Sequence, residues 1–138
     1  MKKLLLASLL ALTLSLSASA ETLLVHLSHC TDDLHAASMA LKIATVGAQN
    51  GLDVVLFVDR EGVRLVDKRQ PLDLQWGGST PLDALYDNYA KSGGKTLVCP
   101  HCADAAGITS ENLREGAQFL DADSMAKMIL EADKVFDY

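Results

Sequence analysis

Aromatic side chains are scarce in this chain: one Trp, three Tyr and three Phe among 138 residues. That is too few for the stacking platform a single-strand nucleic-acid binder uses. Basic charge is short as well, with 12 Lys and Arg against 18 Asp and Glu and a net charge of −6. The basic residues form no cluster, so a phosphate backbone meets repulsion and finds no docking stripe. Only three prolines occur, Pro71, Pro81 and Pro100, and none follows the last. No G-x-S-x-G, phosphate-binding loop or G-x-G-x-x-G is present, which removes the nucleophile-elbow hydrolases and the common nucleotide-binding enzymes. Beyond the first twenty residues no apolar run is long enough to cross a bilayer.

Those first twenty residues read as an address. Lys2 and Lys3 form a basic head, Leu4 to about Ser17 an apolar stretch, and Ala18-Ser19-Ala20 a small-residue cleavage signature before Glu21. This is the pattern of a cleavable secretory signal peptide. The expectation is a periplasmic protein with no membrane association after cleavage, and no Cys stands at the cleavage point to carry a lipid. Residues 21–138 are then one domain, with ten basic residues against eighteen acidic.

Along that domain, strand and helix patterns alternate. Thr22 to Ser28 is a nearly continuous apolar run, as in a strand covered on both faces. A helix is predicted from Asp33 to Asn50, capped by Thr31 or Asp32 and stopped by Gly51. Asp53 to Asp59 is a second strand, Gly62 to Lys68 has no clear type, and residues 69–79 form a long loop. A second helix starts with Thr80 as N-cap and Pro81 at the first helical position, and Gly93-Gly94 end it. Lys95 to Val98 is a third strand, followed by a short helical piece and a helical turn within Thr109 to Glu115. Ala117 to Leu120 is a fourth strand. A helix from Asp123 to Ala132, with Met125, Met128, Ile129 and Ala132 facing inward, precedes a last strand, Lys134 to Tyr138. This order predicts an α/β fold: a mainly parallel sheet of about five strands with helices on both faces.

The chemistry concentrates in Thr-Leu-Val-Cys-Pro-His-Cys, residues 96–102. Cys99 and Cys102 stand in C-x-x-C spacing at the end of a strand and the start of a helix, where amides and the helix dipole favour thiolate. Sites in open sheets lie beyond the carboxyl ends of the strands. Cys30 follows the first strand and Cys99 ends the third, so both sit on that edge. Their strand ends are about 5 Å apart if adjacent and about 10 Å with one strand between. His29, Cys30, Cys99, His101 and Cys102 are therefore expected to line one cleft. His26 reads as a core or edge histidine and His35 as a solvated one, neither with a role.

Several chemistries fit these residues. Cys99-Pro100-His101-Cys102 matches the redox motif of oxidising thiol oxidases, yet a thioredoxin fold needs the motif early and a later cis-proline. A structural Cys99–Cys102 bridge closes a short loop and adds little stability. Zinc held by Cys30, Cys99 and Cys102 with His29 or His101 would be tetrahedral, but a single C-x-x-C is a thin signature for it. A metal- or small-ligand-binding module without turnover is a further alternative.

Across the mature sequence the chain resembles the DsrE/DsrF-like family of small sulfur-handling proteins. The resemblance is carried by the strand ending in Cys99, by Cys102, by Gly107-Ile108, and by Ala132-Asp133-Lys134-Val135. It is similar to the branch with two cysteines in that loop. The resemblance implies a three-layer α/β/α sandwich, a homo-trimer or homo-hexamer, and no cofactor. It implies a persulfide on Cys99 with Cys102 as resolving thiol, acting as a carrier or sulfurtransferase; His101 and the helix start are the expected thiolate stabilisers. The partners implied are small sulfur species or the thiol of another protein. Relay members of the family work in the cytoplasm, whereas this chain carries an export pattern.

Overall fold

The computed structural model describes residues 20–138; the signal-peptide pattern of residues 1–20 lies, except for Ala20, outside the described residues. Five strands form one all-parallel sheet in the order β4-β3-β2-β1-β5. They are β1 (Thr22–Leu27), β2 (Asp53–Val58), β3 (Lys95–Val98), β4 (Ala117–Phe119) and β5 (Lys134–Asp137). The helices are α1 (Leu34–Gln49), α2 (Leu82–Lys91), α3 (Pro100–Ala105) and α4 (Ala122–Glu131). Short 3₁₀ segments, Arg60–Val66 and Ser110–Asn112, occupy the stretches whose type the sequence left open or gave as a single turn.

The core lies on one face of the sheet. Leu23, Val25 and Leu27 of β1 and Val54, Leu56 and Val58 of β2 pack with Ala37, Ala40, Leu41 and Ala44 of α1. Leu82, Leu85, Tyr86 and Tyr89 of α2 join them. The alternating burial of β1 and β2 follows from the two-residue period of a strand. Tyr89 ties the layers together: its hydroxyl donates to the Lys95 carbonyl at 2.6 Å and accepts from the Leu56 amide at 3.1 Å.

Three local expectations need correction. The N-cap of α1 is Asp33, whose carboxylate accepts from the Ala36 amide at 3.0 Å. Asp32 is taken by the preceding turn instead, accepting from the Cys30 amide at 2.8 Å. Helix α2 begins at Leu82 with Pro81 as its cap residue, and Thr80 does not cap it. The Leu82 and Asp83 amides donate to the Leu74 and Leu72 carbonyls at 2.9 and 3.0 Å, so the long loop satisfies them.

The third correction concerns α4. It crosses the second face of the sheet to connect the two edges, and it turns Ser124, Met128 and Glu131 toward the strands. Between them lies a hollow of about 260 Å³. Met125 and Ile129 point outward, 45% and 65% exposed, while Met128 and Ala132 are half-buried. Of the expected inward stripe, Met125 and Ile129 thus face away from the sheet, and Met128 alone lines the hollow.

Candidate functional site

Cys99 is positioned by β3. Its amide donates to the Val58 carbonyl at 3.0 Å, so the ladder with β2 continues to the sulfur-bearing residue. Cys99 is also the N-cap of α3, and its carbonyl accepts from the Ala103 amide at 3.0 Å. Pro100 opens the helix, where its missing N–H costs nothing. Residues three apart on a helix start share a side, which sets Cys102 beside Cys99. Both are partly exposed and both are free thiols.

The surroundings of Cys102 raise its pKa above the usual thiol value. Burial is the main cause, and the adjoining Cys99 and the carboxylate charge of Asp59 act in the same direction. The Arg60 amide, donating to the sulfur, opposes them. Arg60 is the one non-glycine residue with positive φ among the described residues, at 44°.

Asp59 and Cys99 are the residues that directly follow the ladder of β2 and β3. The last ladder pair of β2 and β3 is Val58–Val98, and both belong to the core. One step on, Asp59 and Cys99 turn to the opposite face. Sequence patterning marked Asp59 only as the end of a strand, and nothing in the sequence states that it neighbours a cysteine 40 positions later.

His101 is exposed on α3. It lines a hollow of about 240 Å³ with Cys102, Arg60, Glu61 and Arg64. Glu61 and Arg64 pair with each other at 2.6 Å. Among the described residues no hydrogen bond or ion pair links His101 to either sulfur.

The single cleft expected from the sequence does not form. Strand β2 lies between β1 and β3, and Cys30 turns into the core with 0% exposure. Burial, helped by the nearby Asp32 charge, pushes its thiol up to about 12. Cys30 is a small core hydrophobe and takes no part in the site. His29 is drawn aside as well, its Nδ1 2.6 Å from Asp32. The zinc alternative fails on the same geometry: among the described residues no three His, Cys, Asp or Glu side chains converge on a point.

Comparison with solved structures places this architecture. The YchN protein of E. coli superposes with a TM-score of 0.69 at 18% identity, covering 87% of this chain and all of that one. MTH1491 of Methanobacterium thermoautotrophicum, of unknown function, gives 0.59 at 10% identity, covering 86% of this chain and 99% of its own. BT1422 of Bacteroides thetaiotaomicron, also of unknown function, gives 0.59 at 13%, with 86% and 95% covered. At these identities the likeness is one of fold. No curated protein matches. The model of the DsrE/DsrF-like family matches residues 10–138, nearly the whole length, and the chain therefore belongs to the DsrE/DsrF-like family, with the sulfur-related role that family carries.

Proposed function

We propose that this protein is an exported sulfur carrier or sulfurtransferase in which Cys99 bears a persulfide and Cys102 resolves it. The observation that carries the reading is the contrast among three cysteines. Cys99 and Cys102 are free, adjacent and reachable at the carboxyl edge of the sheet, while Cys30 is sealed. Cys99 attacks the outer sulfur of a persulfide donor, forms a new S–S bond, and releases the donor as a thiol. The sulfur then passes to an acceptor thiol, from a small molecule or a partner protein. With no acceptor present, Cys102 attacks Cys99 Sγ and the outer sulfur leaves as sulfide. Two thiol sulfurs are oxidised to a disulfide as one sulfane sulfur is reduced, so electrons balance, and an external dithiol restores the pair. Burial raises the Cys102 pKa, and this supports Cys102 as the slower, second thiol of the pair.

Export to the periplasm, from the pattern in residues 1–20, and assembly as a homo-trimer or homo-hexamer belong to the same proposal. Exposed Met125, Ile129, Leu130, Val135 and Phe136 on α4 and β5 support the assembly. The test is mass spectrometry after incubation with a sulfane-sulfur donor. A gain of one sulfur, about 32 Da, that disappears in Cys99→Ala and persists longer in Cys102→Ala is expected. An adduct that survives Cys99→Ala overturns the assignment.

A further inference from the structure

His26 sits on β1 on the α4 face, stacked against Phe57 with ring centroids 5.4 Å apart. Both of its nitrogens meet carboxylates. Nδ1 is 2.6 Å from Asp137 Oδ1 on β5, a formed hydrogen bond. A carboxylate only accepts, so Nδ1 donates to Asp137 and Nε2 is the nitrogen turned to Asp59. Nε2 lies 3.0 Å from Asp59 Oδ1. No hydrogen bond joins them, and both atoms are buried without a hydrogen-bond partner. Buried polar atoms in that state are uncommon and call for an explanation. The sulfur site begins one residue beyond the ladder: Asp59 follows Val58, Cys99 follows its partner Val98, the Cys99 amide donates to the Val58 carbonyl at 3.0 Å, and the charge of Asp59 acts on Cys102.

We infer that Asp59 and His26, with the ring held by Asp137, form the proton-handling arm of the cysteine site. The inference rests on the sulfur-carrier reading and adds the route of the proton. When Cys99 Sγ attacks the outer sulfur of a persulfide R–S–SH, its proton moves through Asp59 to His26 Nε2. The S–S bond of the donor breaks, its electron pair leaves with RS⁻, and the stored proton returns to give RSH. One S–S bond forms as one breaks, so no external oxidant or reductant is needed. His26 and Asp137 act through Asp59 and are positioning residues, in the way a base is oriented by a third group. Of the other charged groups at this edge, Glu61 pairs with Arg64 and Asp32 with His29, while Arg60, next to Asp59, and His101 line the hollow beside Cys102 with no ion pair among the described residues. Among the described residues no charge from α4 comes within ion-pair distance of His26.

The experiment measures the rate at which intact protein gains sulfur from glutathione persulfide, from about pH 6 to about pH 9, the range where a base assists thiol ionisation. Asp59→Asn and His26→Gln are expected to slow loading on the order of a hundredfold near neutrality, and to approach the wild-type rate at the alkaline end. A purely structural loss has no such recovery. Asp137→Asn, on the exposed edge strand, is expected to give a smaller loss of the same shape, and it serves as the test should the inner variants fail to fold. Loading at wild-type rates across the range overturns the arm. Failure of wild type to take sulfur at any pH overturns the carrier reading instead. The pH profile of Cys99 alkylation then decides the arm: the variants must displace it, and an unchanged profile overturns it.

Discussion

The two histidine–aspartate contacts near the strand ends differ in what surrounds them. His26 lies between two carboxylates, the shielded Asp59 and Asp137, whose side chain is 75% exposed. His29 pairs with Asp32 in one open turn. The hydrogen bond to Asp32 raises the His29 pKa above 6.5. Burial on its own would lift Asp32, but the Cys30 amide and the His29 ring outweigh it and bring the carboxyl below 3.8. The signs fix a window. A raised histidine contributes fully below 6.5 and loses its contribution as pH rises through its folded value; a depressed aspartate contributes fully above 3.8 and loses it as pH falls through its own. The pair therefore acts at full strength only between these limits. In an NMR titration the His29 midpoint is expected above 6.5, and Asp32→Asn should return it toward that value. A midpoint unmoved by the substitution would show that the contact does not persist in solution. The neighbouring Cys30 makes the opposite point: one turn places a titrating histidine in water and a thiol out of reach of it.

At the scale of elements, the site depends on how closely the Arg60–Val66 segment lies over the end of β1. Gly62 donates its amide to the Ser28 carbonyl at 3.2 Å, and a Cβ there would stand 2.1 Å from the Leu27 carbonyl oxygen. Backbone cannot yield as a side chain can. Gly62→Ala is expected to cost about 1–3 kcal/mol in urea denaturation and to speed or slow Cys102 alkylation, since the Arg60 amide lies two residues away. Unchanged stability would mean the segment lifts off at no cost. None of this was legible beforehand: glycine in residues 62–68 gives no periodicity, and the contact it permits joins segments 35 positions apart. The inner strands were legible, because strands covered on both faces read as unbroken apolar runs such as residues 54–58. So was Cys99, since the C-x-x-C spacing follows a strand directly. The His26–Asp59 approach was not, because it arises from register between β1 and β2. The outward turn of Met125 and Ile129 was missed because a 3.6-residue period locates a stripe without saying what covers it.

The molecule as a whole has one finished face and one unfinished face. Under α1 and α2 the sheet is sealed; under α4 it is not, and β5 has no buried residue. Leu130 is 83% exposed, Ile129 65% and Val135 60%. Contiguous apolar surface of this kind marks an association site. A second copy is the occupant that the oligomer proposal requires, but eighteen acidic against ten basic residues in 21–138 make every copy repel every other. Association then needs apolar burial to exceed a repulsion that salt screens within about 8 Å at physiological strength. Two opposite responses follow. Raising salt should tighten the assembly, whereas an assembly held by ion pairs would loosen. Adding charge at the apolar patch should dissolve it: Ile129→Glu with Leu130→Glu is expected to give monomers in light scattering after size-exclusion chromatography. Each side chain is already exposed in the single chain, so the monomer should lose no more than about 0.5 kcal/mol per substitution. A wild-type protein that is monomeric at micromolar concentration, or a double variant that assembles unchanged, would sink the oligomer and leave the open face of α4 without an occupant.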